Sequence, residues 1–272
     1  MFGEYFTQLL QHSIEDIDHT SAILQHRNRP KANREHDQIY MLAGSQLQQA
    51  KLVGSYLADK RVVFMGDGDC MSLLVAYLST KGIVPRPKHI TVLDFDERLL
   101  DFIKSMRTQC GWHEDMFECH QYNVRYPIPE NLKTRGDVFY TNPPYGFYNK
   151  GLSNRVFLAR AMEFCKPSSR GIAILPYNAD SDGSREAMTE TQRFMNLAGY
   201  IIIEMILGQH RYDLDDRPEL KSGTVIFDRV SSERTIFSDR ELTEDEMKYF
   251  YSRTPKMIPK YISSDGTPIY DT

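Results

Sequence analysis

One feature limits the fold of this chain more than any other. An apolar run of strand length leads through a glycine-rich turn into an apolar helical repeat. Residues 62–65 are apolar, residues 66–69 read Gly-Asp-Gly-Asp, and apolar side chains recur through residues 71–78. The run predicts a buried strand, and the repeat after it predicts a helix. Glycine permits a tight turn and a close approach of a ligand to the backbone. This order is typical of the unit that cradles a nucleoside in doubly wound α/β folds.

A second predicted strand, residues 89–93, ends in acidic residues. Asp94 follows the glycine turn by about 20 to 30 residues, an interval at which an acidic side chain accepts hydrogen bonds from ribose hydroxyls in such folds. Asp96 precedes an apolar helical repeat that begins near Glu97, and we expect its side chain to cap that helix. The two acids at this strand end therefore have separate predicted roles, one in binding and one in folding.

The third and fourth predicted strands also end in polar residues. Residues 116–122 lead to Asn123, and residues 137–141 lead to Asn-Pro-Pro-Tyr at residues 142–145. Proline fixes its own φ angle and lacks an N–H donor, so the tandem prolines leave neighbouring carbonyls and the Asn142 side-chain oxygen as acceptors. Such a corner suits the binding of an amine. A proline-rich turn that only closes a strand is the alternative.

Four strand ends thus read in order as a glycine turn, an acid, an amide and Asn-Pro-Pro-Tyr. Together they predict a Rossmann-like α/β fold of the class I S-adenosylmethionine-dependent methyltransferase type. Further strands are predicted at residues 171–176, 200–207 and 222–229, which completes a seven-strand sheet. We expect the last two of these strands to pair as a hairpin.

The length and charge of the chain agree with this fold. We expect a small helical N-terminal extension, a Rossmann-like catalytic domain and a C-terminal tail, at residues 1–58, 59–230 and 231–272. A formal net charge of −4 and a pI near 6.1 argue against a large nucleic-acid footprint, although they leave a local basic patch open. The sequence leaves the oligomeric state open, a homodimer included.

The cysteines and the N-terminus indicate the compartment. The cysteines show neither paired spacing nor the spacing of metal ligands, so we expect no metal and reduced thiols in a cytoplasmic protein. They are Cys70, Cys110, Cys119 and Cys165. The first residues lack a basic segment followed by a long apolar one, and we expect neither a secretory signal nor a membrane span.

From about residue 37 to residue 229 the sequence resembles one family, the branched-chain polyamine synthases, which are N4-bis(aminopropyl)spermidine synthases. The resemblance is carried by Asp37-Gln38, by residues 66–69 at the family's Gly-Asp-Asp-Asp turn, and by residues 92–99, 122–129, 210–212 and 218–222. Gly68 stands where the family's turn has an acid, and Asn142 stands where the family has an Asp-Pro-Pro form. The chain resembles a short, divergent member, and we expect it to lack the winged-helix domain that family members carry at the N-terminus.

The resemblance implies an aminopropyltransferase that uses decarboxylated S-adenosylmethionine and a polyamine such as spermidine. It implies that Asp69 is the carboxylate that takes the proton of the attacking amine and stabilises the developing cation. Asn142 is expected to accept a hydrogen bond from the amine, and Tyr145 to pack against the substrate. The residues themselves leave a second role open for Asp69, which is to cap the helix that follows it.

Two groups of residues complete the predicted site. The predicted cofactor-binding residues are Gly66, Asp67, Gly68, Asp94, Asn123 and Pro143. The polyamine, a flexible polycation, is expected to bind an acidic loop and the residues at its start. These predicted substrate-binding residues are His210, Tyr212, Asp213, Asp215 and Asp216. Solvated surface charge is the alternative for the loop acids.

Two other functions stay open at the level of the sequence. The Asn-Pro-Pro-Tyr corner is also similar to the signature of amino-methyltransferases, which use S-adenosylmethionine itself on a base, a glutamine side chain or a small amine. A nucleoside-binding protein without catalysis would keep the same fold. The donors of the two reactions differ by one carboxylate, which the acidic turn at residues 66–69 would repel. The turn therefore favours the decarboxylated donor.

Overall fold

The computed structural model describes residues 14–178, 181–216, 218–251 and 253–271. The helices of this part of the chain are α1 Ile14–Leu24, α2 Ala43–Leu57, α3 Met71–Thr80, α4 Glu97–Gln109, α5 Leu152–Phe164, α6 Asp182–Leu197 and α7 Glu244–Met247, with 3-10 turns at Arg34–His36 and Glu130–Leu132. The strands are β1 Arg61–Met65, β2 His89–Asp94, β3 Phe117–Gln121, β4 Gly136–Thr141, β5 Cys165–Pro176, β6 Tyr200–Arg211, β7 Lys221–Arg229, β8 Tyr261–Ile262 and β9 Pro268–Ile269.

Seven of these strands form one sheet in the order β3-β2-β1-β4-β5-β7-β6. The first five strands in that order are parallel, and β7 is antiparallel to both of its neighbours, β5 and β6. The predicted seven-strand α/β fold is therefore confirmed, and so is the hairpin of its last two strands. The order of the strands reverses between β1 and β4, which is where doubly wound sheets bind ligands.

The central strands are apolar because helices cover both faces of the sheet. All of β2 is buried, and β1 is buried from Val62 to Met65. Parallel strands in this position are continuous hydrophobic runs and do not alternate. The predicted cap of α4 is also present, since the Asp96 side chain accepts a hydrogen bond from the Arg98 N–H. The apolar runs and the capping residue thus predict these elements from the sequence alone, without knowledge of the tertiary contacts.

Two elements differ from the sequence prediction. The prediction has no helix over residues 182–197, where α6 lies, because its sequence is largely polar and its buried row is narrow. The Ser181 side chain caps this helix by accepting from the Ser184 N–H. In addition, β6 continues past residue 207 to Arg211, through an irregularity at Gly208 with a φ of 68°. This extension moves the start of the acidic loop away from the predicted strand end.

The segments on either side of the sheet share its core. Ile23 of α1 and Leu47 of α2 belong to the same cluster of buried side chains as Phe64 of β1. On the other face, Phe237 and Phe250 from the C-terminal segment pack into the second cluster. The predicted divisions at residues 58 and 230 stay predictions, and the first thirteen residues lie outside the described part. No helix of the described ranges is long and apolar enough to span a bilayer.

The glycine turn after β1 uses its two glycines differently. Gly66 has a φ of 70°, a left-handed conformation that side chains disfavour, and a Cβ there would lie 2.6 Å from the Phe157 ring. Gly68 has no such φ, and a Cβ there would meet only the Cγ of Gln38, at 3.7 Å. Gly66 is therefore required by the turn itself, whereas Gly68 leaves space on the cleft side.

We predict that Gly66→Ala lowers the thermal midpoint and that Gly68→Ala, the matched control, does not. The left-handed backbone costs a residue with a Cβ about 1–2 kcal/mol, and the contact with Phe157 adds to that cost. The measurement is thermal unfolding of the two variants beside the parent protein. Equal midpoints for both variants would show that the turn relaxes without a penalty.

Candidate active site

A cleft lies at the carboxyl ends of β1, β2 and β4. Its lining combines the glycine turn, the end of β2, the Asn-Pro-Pro-Tyr corner, the segment before α2 and single side chains from later in the chain. The lining residues are His36, Asp37, Gln38, Ile39, Gly66, Gly68, Asp69, Leu93, Asp94, Phe95, Tyr122, Val124, Asn142, Pro143, Pro144, Tyr145, Phe157, Tyr212, Leu220 and Tyr251. The topology thus brings together strand ends that are far apart in sequence.

Most of the predicted site residues meet in this cleft, and the others lie behind or beside it. Those that line it are Gly66, Gly68, Asp69, Asp94, Asn142, Pro143, Tyr145 and Tyr212. Those that do not line it are Asp67, Asn123, His210, Asp213, Asp215 and Asp216. The first set consists of strand-end residues, together with Tyr212 from the connection between β6 and β7.

Asp69 is held by hydrogen bonds from three directions. Its Oδ1 accepts from the Met41 N–H at 2.9 Å and from Gln46 Nε2 at 3.3 Å, and its Oδ2 accepts from Asn142 Nδ2 at 2.6 Å. Burial raises the pKa of Asp69, while the Met41 N–H, the Arg29 guanidinium and the Asn142 amide oppose that shift. A carboxylate only accepts, so the Asn142 amide must direct its NH2 group to Asp69. Its carbonyl oxygen is thereby left as an acceptor.

Asp67, and not Asp69, serves the helix that follows the turn. The Asp67 carboxyl group accepts from the Ser72 hydroxyl at 2.5 Å and from the Ser72 N–H at 3.3 Å, in the first turn of α3. Cys70, at the cap position, has a left-handed φ of 57° and makes no side-chain cap bond. The capping alternative for Asp69 is therefore wrong, since its side chain turns toward Met41 and Asn142. Burial raises the pKa of Asp67 to about 8.

Asp94 ends β2 and faces the cleft. Its Oδ2 accepts from the Asp67 N–H and its Oδ1 accepts from the Asp96 N–H, both at 2.9 Å. Burial raises the pKa of Asp94 to about 7, the Asp96 charge adds to the rise, and these N–H donors oppose it. Each carboxylate oxygen has a second lone pair. The Phe95 N–H is a third backbone donor to this carboxylate, so one lone pair remains for a hydrogen bond from a ligand.

His210 and Asn123 are buried behind the cleft and bond to the protein. The neutral His210 ring lies between Ser222 and Gln49, and burial lowers its pKa to about 3. Asn123 donates through Nδ2 to the main-chain oxygens of Pro259 and Lys260, each at 3.0 Å. Its amide thus fastens the C-terminal segment beside the cleft. Direct contact of either side chain with a ligand stays a prediction.

The acids of the loop between β6 and β7 are exposed. Asp213, Asp215 and Asp216 all point toward solvent-accessible surface, and none lines the cleft. Asp216 forms an ion pair with Arg34, with two N–O distances of 3.1 Å. Their predicted role in substrate binding is not tested by these contacts and stays a prediction. Their exposure agrees with the alternative, in which these acids are solvated surface charges.

Several residues that line the cleft have no predicted role in the sequence. Asp37 and Gln38 entered as family motif residues without a predicted role, and the neighbouring His36 was not singled out. Phe95 and Tyr251 also line the cleft, where their rings stack with centroids 5.8 Å apart at an interplanar angle of 7°. Only Asp37 and Gln38 carried a signal that could have identified them. Tyr251 lies in a polar segment whose path over the sheet no local pattern predicts.

The cleft is lined by acidic side chains and not by lysine or arginine among its described residues. Three carboxyl groups line it, those of Asp37, Asp69 and Asp94, and the described lining residues include no lysine or arginine. The nearby Arg29 donates to the main-chain oxygen of Asp69 at 3.0 Å and is not part of the lining. In the described ranges, no group of three or more His, Cys, Asp or Glu side chains could hold a metal ion. The cleft is therefore suited to a cation with hydrogen-bond donors.

Comparison with known proteins agrees with this geometry. The family model for the C-terminal domain of branched-chain polyamine synthase A matches residues 19–249. The N(4)-bis(aminopropyl)spermidine synthase of Thermococcus kodakarensis is 28% identical over 219 residues, which cover 77% of this chain and 58% of that protein. The enzyme of the same name from Thermus thermophilus is 27% identical over 189 residues, which cover 69% of this chain and 51% of that protein. The chain thus spans about half the length of the curated relatives it matches.

Solved structures show the same fold. The branched-chain polyamine synthase from Thermus thermophilus, in complex with N4-aminopropylspermidine and 5'-methylthioadenosine, superposes with a TM-score of 0.71 at 21% identity, over 86% of this chain and 69% of that chain. A candidate RNA methyltransferase from Pyrococcus horikoshii superposes with a TM-score of 0.59 at 16% identity, over 80% of this chain and all of that chain. The fold is that of the class I methyltransferases. Since the family model matches most of its length, the chain belongs to the branched-chain polyamine synthase family.

Proposed function

We propose that this protein transfers aminopropyl groups from decarboxylated S-adenosylmethionine to an amine of a polyamine such as spermidine. The observation that carries the proposal is the cleft itself, which three carboxyl groups line without a lysine or arginine among its described residues. Both substrates are cations, because the donor has a sulfonium and an ammonium group and the acceptor is a polyamine. The names of the curated relatives and the ligands of the Thermus thermophilus enzyme support the same reaction.

The donor would occupy the side of the cleft formed by β1 and β2. Gly68 leaves space at the turn, and the Asp94 carboxylate keeps a lone pair for a ribose hydroxyl. Phe95 and Tyr251 supply an apolar wall beside it. S-adenosylmethionine itself would bring a carboxylate into a cleft of carboxylates, where no lining cation compensates its charge.

The acceptor amine would lie against Asp69, Asn142 and Tyr145. The amine nitrogen forms a bond to the carbon next to the sulfonium, the bond from that carbon to sulfur breaks, and 5'-methylthioadenosine leaves. The nitrogen then loses a proton, and Asp69 is the group we assign to take it. Burial raises the pKa of Asp69 and so makes it a stronger base than an exposed carboxylate. Alignment of the two reactants supplies a further part of the rate.

The direct test is a product assay with purified protein, spermidine and each of the two donors. We expect 5'-methylthioadenosine release and polyamine products heavier by aminopropyl groups when the decarboxylated donor is present. Methylated products formed from S-adenosylmethionine would instead identify an amino-methyltransferase. Binding of 5'-methylthioadenosine without any product from either donor would identify a nucleoside-binding protein, and both outcomes would contradict the proposal.

We predict that Asp69→Asn lowers turnover on a secondary amine by about two or more powers of ten, the scale of a positioned general base. The thermal midpoint should hold, because the Asp67 side chain caps α3 and a turned Asn142 amide can accept from the NH2 group that replaces Asp69 Oδ2. Asp115→Asn is the control. Asp115 is exposed and precedes the amino end of β3, whereas the cleft lies at the carboxyl ends of the strands. If Asp69→Asn lowers the thermal midpoint and leaves the specific activity unchanged, Asp69 has a structural role and no catalytic one.

We predict that 5'-methylthioadenosine binds more tightly as the pH rises from 6 to 8. Burial raises the pKa of Asp94 to about 7, so the free protein is protonated there below that pH. Ribose hydroxyls donate best to the ionised carboxylate, so Asp94 must lose its proton when the ligand binds. Below the pKa, this deprotonation costs about 1.4 kcal/mol of binding free energy per pH unit. Calorimetry at three pH values measures this, and Asp94→Asn should bind weakly at all of them. A flat affinity of the parent protein would remove Asp94 from the ribose site.

A further inference from the structure

Arg29 reaches the glycine turn from outside the cleft. It follows α1 in the N-terminal extension, and its Nη2 donates to the main-chain oxygen of Asp69 at 3.0 Å. Its Nη1 donates to the main-chain oxygen of Leu24 at 3.0 Å, and its guanidinium lies 3.8 Å from the centre of the Tyr40 ring. The Tyr40 hydroxyl in turn donates to the main-chain oxygen of Pro30 at 2.8 Å. The Arg29 side chain is therefore fixed at two nitrogens and on one face.

The main-chain oxygen that Arg29 binds belongs to a strained part of the turn. It lies in the peptide that joins Asp69 to Cys70, and Cys70 has a left-handed φ of 57°. That conformation costs a residue with a Cβ about 1–2 kcal/mol, so the turn depends on contacts that hold it. The Cys70 thiol also forms a hydrogen bond with the guanidinium. Because Arg29 holds this peptide, it fixes the backbone from which the Asp69 side chain extends.

Arg29 also supplies positive charge next to Asp69. The other ionisable groups that act on Asp69 are neutral or, when ionised, negative, and burial raises the pKa of each. They are Tyr40 from the extension, Asp67 and Cys70 from the turn, Tyr140 of β4, Tyr145 of the Asn-Pro-Pro-Tyr corner and Tyr212 after β6. Asp37 and Asp94 line the same cleft and add negative charge when they ionise. Of the described groups that act on Asp69, Arg29 is the one cation.

We propose that Arg29 is a positioning residue that holds the Asp69 carboxylate in place and in its ionised form for the attacking amine. This inference rests on the proposed function and extends it, because it gives the N-terminal extension a part in the reaction. Burial raises the pKa of Asp69, while the Met41 N–H and the Arg29 charge oppose this rise. Without that charge the pKa rises further, and Asp69 becomes protonated at a higher pH. A protonated Asp69 cannot take the proton of the amine.

The first test follows Asp69 itself and needs no turnover. Carbon-13 NMR of protein labelled at the aspartate carboxyl carbons measures the pH at which Asp69 titrates, with its signal assigned from Asp69→Asn. In Arg29→Gln the carboxyl group should titrate about one pH unit or more above the parent protein, the scale of one nearby opposite charge. The control is Arg27→Gln, which changes an exposed arginine of the same segment and should titrate as the parent does.

Arg29→Lys is the second variant and is read even where Arg29→Gln fails to fold. It keeps a cation beside the turn, so Asp69 should titrate close to the parent value. An unchanged titration in Arg29→Gln would overturn the proposal. A rise of one pH unit or more in Arg29→Lys would overturn it too, because the charge would then not be what holds Asp69 ionised.

The second test is the pH dependence of a single turnover with the donor at saturation, which removes the titration of Asp94 from the comparison. The acid-side fall in rate should lie about one pH unit higher in Arg29→Gln than in the parent protein, about a tenfold loss at low pH that narrows as the pH rises. A loss by the same factor at every pH would reduce Arg29 to a support of the fold and overturn the proposal. If Asp69 titrates as stated and neither protein transfers aminopropyl groups, the proposed function fails while the action of Arg29 on Asp69 stands. The two failures are therefore distinguishable.

Discussion

The hydrogen bond between Asp69 and Asn142 is the interaction on which the candidate site depends. It joins the turn after β1 to the corner after β4, the two strand ends that flank the point where the sheet order reverses. The Met41 N–H binds the other oxygen of Asp69, which ties the segment before α2 to the same point. A carboxylate so surrounded has few rotamers left. The geometry of the cleft is thus set by backbone positions that the sheet already holds.

Burial explains the electrostatics of the site. Asp67, Asp69 and Asp94 are all buried at adjoining strand ends, and desolvation raises the pKa of each. Backbone N–H groups bind Asp69 and Asp94, which keeps the ionised forms accessible. A cation that enters such a site gains from carboxylates that water no longer screens. The same burial that costs stability therefore favours the binding of positively charged substrates.

The sequence predicted what short-range patterns encode. The seven strands, the Asp96 cap and the cleft positions of Asp69 and Asn142 follow from apolar runs and the residues that end them. It did not predict which acid of the glycine turn caps α3, because both have suitable spacing and only the tertiary contacts separate them. It also did not predict the wall formed by Tyr251, since that contact depends on the path of a polar segment over the sheet.

We propose that the cleft selects a donor without a carboxylate. Calorimetry of the parent protein with decarboxylated S-adenosylmethionine and with S-adenosylmethionine tests it most directly, because the two ligands differ only in that group. We expect the decarboxylated donor to bind at least about tenfold more tightly, a difference of about 1.4 kcal/mol. Equal affinities, or tighter binding of S-adenosylmethionine, would contradict it.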